Sequence, residues 1–348
     1  MNIYLAGAAG GGSVGLCKRE RQLNRLWQSR LWSYYHLIIQ NGKMPEPQTK
    51  KVELFLDSGA FSAWSQGKDI NINEYIDFIK EHKKVIDVYA NLDVIGNAEA
   101  TWKNQMIMEK AGLYPLPVFH FGEDIKWLKK LLDKDYNYIS LGGMVPISTT
   151  NLYHWLDDLF TNYLTDKHGM PIVKVHGFGL TSLRLMLRYN WYSVDSTSWV
   201  LTGRMGAIFI PRFRGGKWTY DDDPWKIIVS NKSPDQKEEG KHITTMSPME
   251  KKILLNYINE KGYKLGISKF KTVNPDYELA ENEKWSEKKP VNKKEKREVE
   301  IIIEAGVSNR YQLRDEMNIM YFLDLEKSMP KWPWPFKKKE APEKGFFD

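Results

Sequence analysis

One repeated unit constrains this chain more than any other feature: a short apolar strand, a glycine or polar turn, a helix, then another strand. It is clearest between residues 172 and 195. Ile172 to His176 reads as a strand ending in His-Gly-Phe-Gly179. Thr181 to Tyr189 reads as a helix, with apolar Leu183, Met186 and Leu187 at i, i+3, i+4. Tyr192 to Val194 reads as the next strand and delivers Asp195 at its C-terminal end. Similar strands begin at residues 2, 52, 85, 116, 138 and 207. Alternating units of this kind argue for a parallel sheet. Eight strands within about 210 residues fit a (β/α)8 TIM-type barrel, in the α/β class. A doubly wound sheet is the alternative. The connection from Asp195 to Ala207 looks too short for a helix, so that unit reads as degenerate.

The remaining segments fill in around this pattern. After the strand Asn2 to Gly7, Gly10 to Gly15 formally matches GxGxxG, and a basic helix is expected from about Lys18 to Gln40. A dinucleotide fold would need an acidic residue about 20 positions on, after a second strand. None stands there, and no Gly-Lys-Ser/Thr completes a phosphate loop. Asn73 and Asn97 read as helix caps, and Gly112 as a helix terminator. A long loop is expected at about 214–246. Ser247-Pro248-Met249-Glu250 spells a capping box with proline at N1, opening a helix that would close the barrel as its eighth. The charge run from Glu281 to Glu298 reads as a linker or a helix face, and Val307 to Glu326 as an amphipathic helix. The tail from Pro330, with Lys337, Lys338 and Lys339, reads as mobile. The expected division is a barrel domain over 1–262 and a C-terminal helical, basic extension over 263–348.

Composition narrows the chemistry. Cys17 is the only cysteine, which excludes an intrachain disulfide and a cysteine-cluster zinc site. With 51 Lys+Arg against 44 Asp+Glu the net charge is +7, compatible with a polyanionic partner. Neither a signal-peptide pattern nor a long uncharged apolar run occurs, so a cytoplasmic protein with no membrane segment is expected.

In a barrel the strand ends meet at one mouth. The residues collected there are Asp57, Phe61, Asp93, His120, Gly142, Gly143, Met144, His176 and Asp195. Three carboxylates, several flat side chains and a glycine pair suit a planar, hydrogen-bond-rich ligand such as a purine. A carboxylate accepts from the adjacent N–H and NH2 groups that guanine offers, and an aromatic face supports its ring. Two more carboxylates suit displacement at a sugar carbon. Bland roles stand beside these. Asp57 and Asp93 can be turn-formers, the two histidines satisfied core residues, and the glycines packing devices.

At these residues the chain resembles the tRNA-guanine transglycosylase superfamily, and most closely its phage and bacterial 7-deazaguanine transglycosylase-like members that act on DNA. Asp57-Ser-Gly-Ala-Phe-Ser62 is similar to the family's Asp-Ser-Gly-Gly-Phe/Tyr-Gln segment. Asp93 falls at the base-reading aspartate. Gly142-Gly143-Met144 resembles Gly-Gly-Leu, His176-Gly-Phe-Gly179 resembles Met-Gly-Val-Gly, and Val194-Asp195-Ser196 resembles the nucleophile region. The order matches across roughly residues 50 to 213. Two departures stand out. The cysteines of the tRNA enzymes' zinc module are missing, and His120 or Phe121 replaces a base-reading glutamine.

The resemblance implies a base exchange needing no metal or cofactor. Asp195 would be the nucleophile, and Asp57 would relay protons or hold the base. Asp93 would read the base, with Phe61 and His176 stacking on it and Gly142, Gly143 and Met144 offering backbone. The partners implied are DNA, or tRNA, and a free 7-deazaguanine base. A homodimer, a partner subunit, a non-catalytic binding role and a small-molecule nucleosidase or glycosidase remain open at this level.

Overall fold

The computed structural model describes residues 1–7, 28–39, 44, 52–180, 182–232, 240–286 and 296–338. The GxGxxG stretch at 10–15 lies outside them. Two compact units emerge: Met1–Thr197 together with Ser328–Asp348, and Ser198–Lys327. The division falls at Ser198, well ahead of the expected boundary at 263.

The first unit is built on an eight-stranded, all-parallel, curled sheet. Its strands are β1 (Asn2–Ala6), β2 (Gln28–Ser33), β3 (Val52–Asp57), β4 (Val88–Tyr89), β5 (Val118–His120), β6 (Tyr138–Gly142), β7 (Lys174–Gly177) and β8 (Ser193–Ser196), in the order β4-β3-β2-β1-β8-β7-β6-β5. Helices follow most strands: Tyr34–Ile39, Ala60–Ser65, Ile72–His82, Ala98–Lys110, Lys126–Asp133, Thr149–Asn162 and Leu183–Arg188. The edge strands β4 and β5 are consecutive in the chain. Beyond β4, Ala90 forms a parallel bridge with Leu116, just ahead of β5. There the Leu116 N–H donates to the Tyr89 carbonyl at 2.8 Å and the Asn91 N–H to the Leu116 carbonyl at 3.0 Å.

Eight parallel strands were expected, but two identities change. Gln28–Ser33 lies within the region expected to be helical, yet it pairs with β1 on one side and β3 on the other. Its residues, QSRLWS, carry little strand bias, and pairing on both edges overrides local propensity. Ala207–Ile210, expected to be the eighth strand, belongs to the second unit. There β9 (Ala207–Ile210) pairs antiparallel with β12 (Trp225–Ile228).

Expectations for the second unit hold in part. A helix, Ser198–Arg204, fits into the connection judged too short for one. The expected loop contains a hairpin, β10 (Arg212–Arg214) and β11 (Lys217–Thr219), turning on Gly215 and Gly216 with positive φ. The helix Pro248–Glu260 has its capping box and N1 proline as expected. It packs Leu254, Tyr257 and Ile258 with Ile208, Ile210, Ile227 and Met317 in the second unit's own core. The charge run at 281–298 supplies β14 (Glu283–Trp285) and the start of β15 (Arg297–Glu304). With β13 (Ile267–Val273) they form a three-stranded antiparallel sheet, so the C-terminal region is not purely helical. The last helix is Tyr311–Ser328.

The start of the tail is pinned to the first unit. The Met1 amino group donates to the Pro330 carbonyl at 2.9 Å, and the Phe336 N–H to the Gly169 carbonyl at 2.8 Å. The Phe336 ring stacks on Tyr189 at 5.5 Å. Among the described residues no helix is long and apolar enough to cross a membrane.

Candidate active site

Three carboxylates separated along the chain stand at, or just beyond, the C-terminal ends of parallel strands. Asp57 is the last residue of β3, Asp93 follows β4 by a short loop, and Asp195 lies in β8. Burial and the negative charges of Asp93 and Asp195 push the Asp57 carboxyl up to about 7. The N–H groups of Gly59, at 3.1 Å from Oδ2, and of Ser58 only partly offset this. The Asp57 carboxyl is thus poised to hold or release a proton near neutral pH.

The turn after Asp57 needs its glycine. Gly59 has φ of 78°, and a Cβ there would lie 2.4 Å from Ser33 Oγ and 2.6 Å from Tyr35 Cβ, at the end of β2. This close approach lets the helix Ala60–Ser65 start at once, leaving Phe61 55% exposed beside Trp64.

Asp93 is held through its loop. The Asn104 amide donates to the Leu92 carbonyl, Asn91 to the Thr101 carbonyl, and the Val94 N–H to Thr101 Oγ1. Its carboxylate accepts from Ser58 Oγ at 3.3 Å and faces His120 Nε2 at 2.9 Å. His120 Nδ1 lies 3.0 Å from Glu123 Oε1, and its backbone N–H donates to Glu123 Oε2. Burial by itself would lower the His120 pKa, but these two carboxylates outweigh it and raise it to about 9. His120 is therefore an imidazolium at neutral pH, donating from both ring nitrogens.

A histidine whose folded pKa exceeds its unfolded value adds stability fully below about 6.5, lost as pH rises through about 9. Glu123→Gln removes one of the two carboxylates. The His120 pKa should then move down toward 6.5 in an NMR titration, and stability at pH 7 should fall. An unmoved titration would remove Glu123 from the pair.

Gly142 and Gly143 shape the neighbouring wall. A Cβ on Gly142 would sit 2.7 Å from His120 Cδ2, so the imidazole occupies the space that glycine leaves. Gly143 has φ of 68°, and the Gly142 carbonyl accepts from the Phe121 N–H at 3.0 Å. The Met144 side chain is buried, and its carbonyl takes the Ile147 N–H in the following turn.

Asp195 is 6% exposed, and His176 not at all. The Gly179 N–H donates to Asp195 Oδ1 at 2.8 Å. His176 Nε2 stands 3.3 Å from the same oxygen, without the alignment of a full hydrogen bond. Burial lowers the His176 pKa despite that carboxylate, so the ring is neutral. Its expected stacking on a ligand is overturned. Phe55 at 4.7 Å, Phe178 at 4.6 Å and Tyr4 at 5.9 Å already surround the ring. It sits under Asp195, not against open space.

Asp57, His120, Gly142 and Asp195 lie at or next to the C-terminal ends of their strands, with Phe61, Asp93, Gly143 and Met144 in the segments that follow. Sequence reading missed Glu123, Ser58 and the Gly179 N–H. It also missed Ser193, although Ser193 stands two residues before Asp195 and so shares its strand face.

Comparison with known proteins adds nothing to this geometry: no family model, no curated protein and no solved structure matches the chain. Among the described residues no group of three or more His, Cys, Asp or Glu side chains is placed to hold a metal ion.

Proposed function

We propose that this chain is a base-exchange transglycosylase of the tRNA-guanine transglycosylase superfamily, replacing guanine in DNA with a free 7-deazaguanine. The observation that carries the reading is that the Asp57 carboxyl feels the negative charges of both Asp93 and Asp195, acidic groups that come from different strands. The fold that goes with it is a closed (β/α)8 barrel, completed through the Ala90–Leu116 bridge. One apolar cluster supports closure: it joins Tyr4, Leu31, Phe55, Ala90 and Leu116, with Val88, Tyr138 and Phe178 packed against it.

The reaction is a double displacement. The Asp195 carboxylate attacks C1′ as the C1′–N9 bond breaks, and guanine leaves with the bonding electrons. Asp57, protonated near neutrality, supplies the proton that the departing base takes up. The incoming base returns its N9 proton to Asp57 and attacks C1′, and the ester to Asp195 breaks with the electrons returning to the carboxylate. Two inversions restore the original anomer. Asp93, held by His120, accepts from the amide edge of the base, the backbone at Gly142–Met144 lines its other edge, and exposed Phe61 offers a stacking face. The target nucleotide must leave its helical stack to reach the mouth. DNA is preferred over tRNA because the chain has one cysteine and cannot build the tRNA enzymes' zinc module.

The test is nucleoside mass spectrometry of DNA and tRNA from cells with and without the chain. A deazaguanosine nucleoside in DNA that depends on the chain is the expected result. Its appearance in tRNA alone would move the activity to RNA, and its absence from both would end the proposal.

A further inference from the structure

Below Asp195 runs a line of polar contacts that the proposed chemistry does not use. Tyr138, at the start of β6, places its hydroxyl 2.6 Å from Ser193 Oγ on β8. Ser193 Oγ is 2.7 Å from His176 Nδ1 on β7. His176 Nε2 is 3.3 Å from Asp195 Oδ1. The strand register builds this line, since His176 pairs with Ser193 across β7 and β8. Alternation puts Ser193 and Asp195 on one face of β8.

The line has a preferred direction. An ionised carboxylate only accepts hydrogen bonds, and a neutral imidazole has one donor and one acceptor nitrogen. A bare Nε2 lone pair facing Asp195 Oδ1 would set two electron-rich atoms against each other inside an aromatic shell. With the proton on Nε2, each group donates toward the carboxylate. Tyr138 O–H donates to Ser193 Oγ, Ser193 O–H to His176 Nδ1, and His176 Nε2–H faces Oδ1. The Gly179 N–H converges on the same oxygen at 2.8 Å. Asp195 Oδ2 takes no hydrogen bond from any described residue.

We infer that Tyr138, Ser193 and His176 form a positioning column that locks His176 as its Nε2–H tautomer and commits Asp195 Oδ1 to being held, so that Oδ2 is the reacting oxygen. The role of Oδ2 rests on reading Asp195 as the nucleophile, whereas the tautomer does not. His176 touches no substrate and acts through Asp195.

Two readouts separate these parts. In 15N-histidine-labelled protein at pH 7, the signal lost in His176→Gln identifies His176 among the seven histidines. It should show an Nε2–H neutral ring, and Ser193→Ala should convert it to a mixture of tautomers. In exchange assays with a guanine-labelled DNA oligonucleotide, His176→Leu should lower kcat by about 100-fold with KM little changed, because the carboxylate is misaimed. His176→Gln, whose amide nitrogen can replace the Nε2–H, should recover at least about tenfold of that loss. An Nδ1–H ring overturns the column. So do equal losses in the leucine and glutamine variants when both melt like the wild type. If the wild type exchanges no base under any condition, the proposed function falls and the tautomer alone decides the column.

Discussion

Asp195→Asn is expected to abolish base exchange, lowering kcat by about 10⁴-fold or more, while leaving the melting temperature within a few degrees of wild type. An amide has the carboxylate's shape and keeps an oxygen for the Gly179 N–H at the Oδ1 position. It lacks the negative charge that attacks C1′ and is later released from the ester. Two measurements check this. Release of labelled guanine from DNA should stop, and a protein–DNA adduct surviving denaturation, trapped with the wild type, should not form. Full activity in the variant would take Asp195 out of the mechanism.

Asp57→Asn should have two opposite effects. The wild-type carboxyl, raised to about 7 by burial, Asp93 and Asp195, is easier to ionise in the unfolded chain than in the fold. Between about 3.8 and about 7 the native state therefore binds more protons than the unfolded state, and stability falls as pH rises through that window. Above it the full cost of the buried charge is present. Asparagine carries no charge, so at pH 8 the variant should be more stable, by on the order of 2 kcal/mol once the carboxyl's partial solvent access is allowed for. Near pH 4 the two proteins should match. Exchange should nevertheless slow by about 10²–10⁴-fold through loss of the proton carrier. Denaturant unfolding at the two pH values tests the first effect, and its absence would mean that Asp57 does not ionise against its acidic neighbours.

Where sequence reading succeeded, the signal was local. The Asn97 side chain caps Ala98–Lys110 by accepting the Ala100 N–H, and Ser247 with Glu250 forms both halves of its box. These motifs are satisfied within a few residues, so flanking structure hardly alters them. The strand ends bearing Asp57, His120, Gly142 and Asp195 were also legible, because short apolar runs bounded by turn residues mark themselves. Gln28–Ser33 failed for the converse reason. Its strand state is set by hydrogen bonds to β1 and β3, which lie far from it in the chain. His176 was legible as a site residue but not in its role, since whether an imidazole faces a ligand or a core depends on the aromatic side chains packed around it.

Read alone, the amino-acid order determined that the chain alternates strands and helices and that acidic residues terminate several strands. It also determined that one cysteine cannot form a cysteine-cluster zinc site. Tertiary structure alone decided which eight segments share the parallel sheet and that Ser198–Lys327 forms its own unit. It also decided that His120 is gripped by two carboxylates while His176 is buried and neutral. The reason is that propensity and capping act over a few residues. Strand pairing, burial and the fields between charges depend on groups brought together from distant parts of the chain, and those interactions set the protonation states on which the proposed chemistry depends.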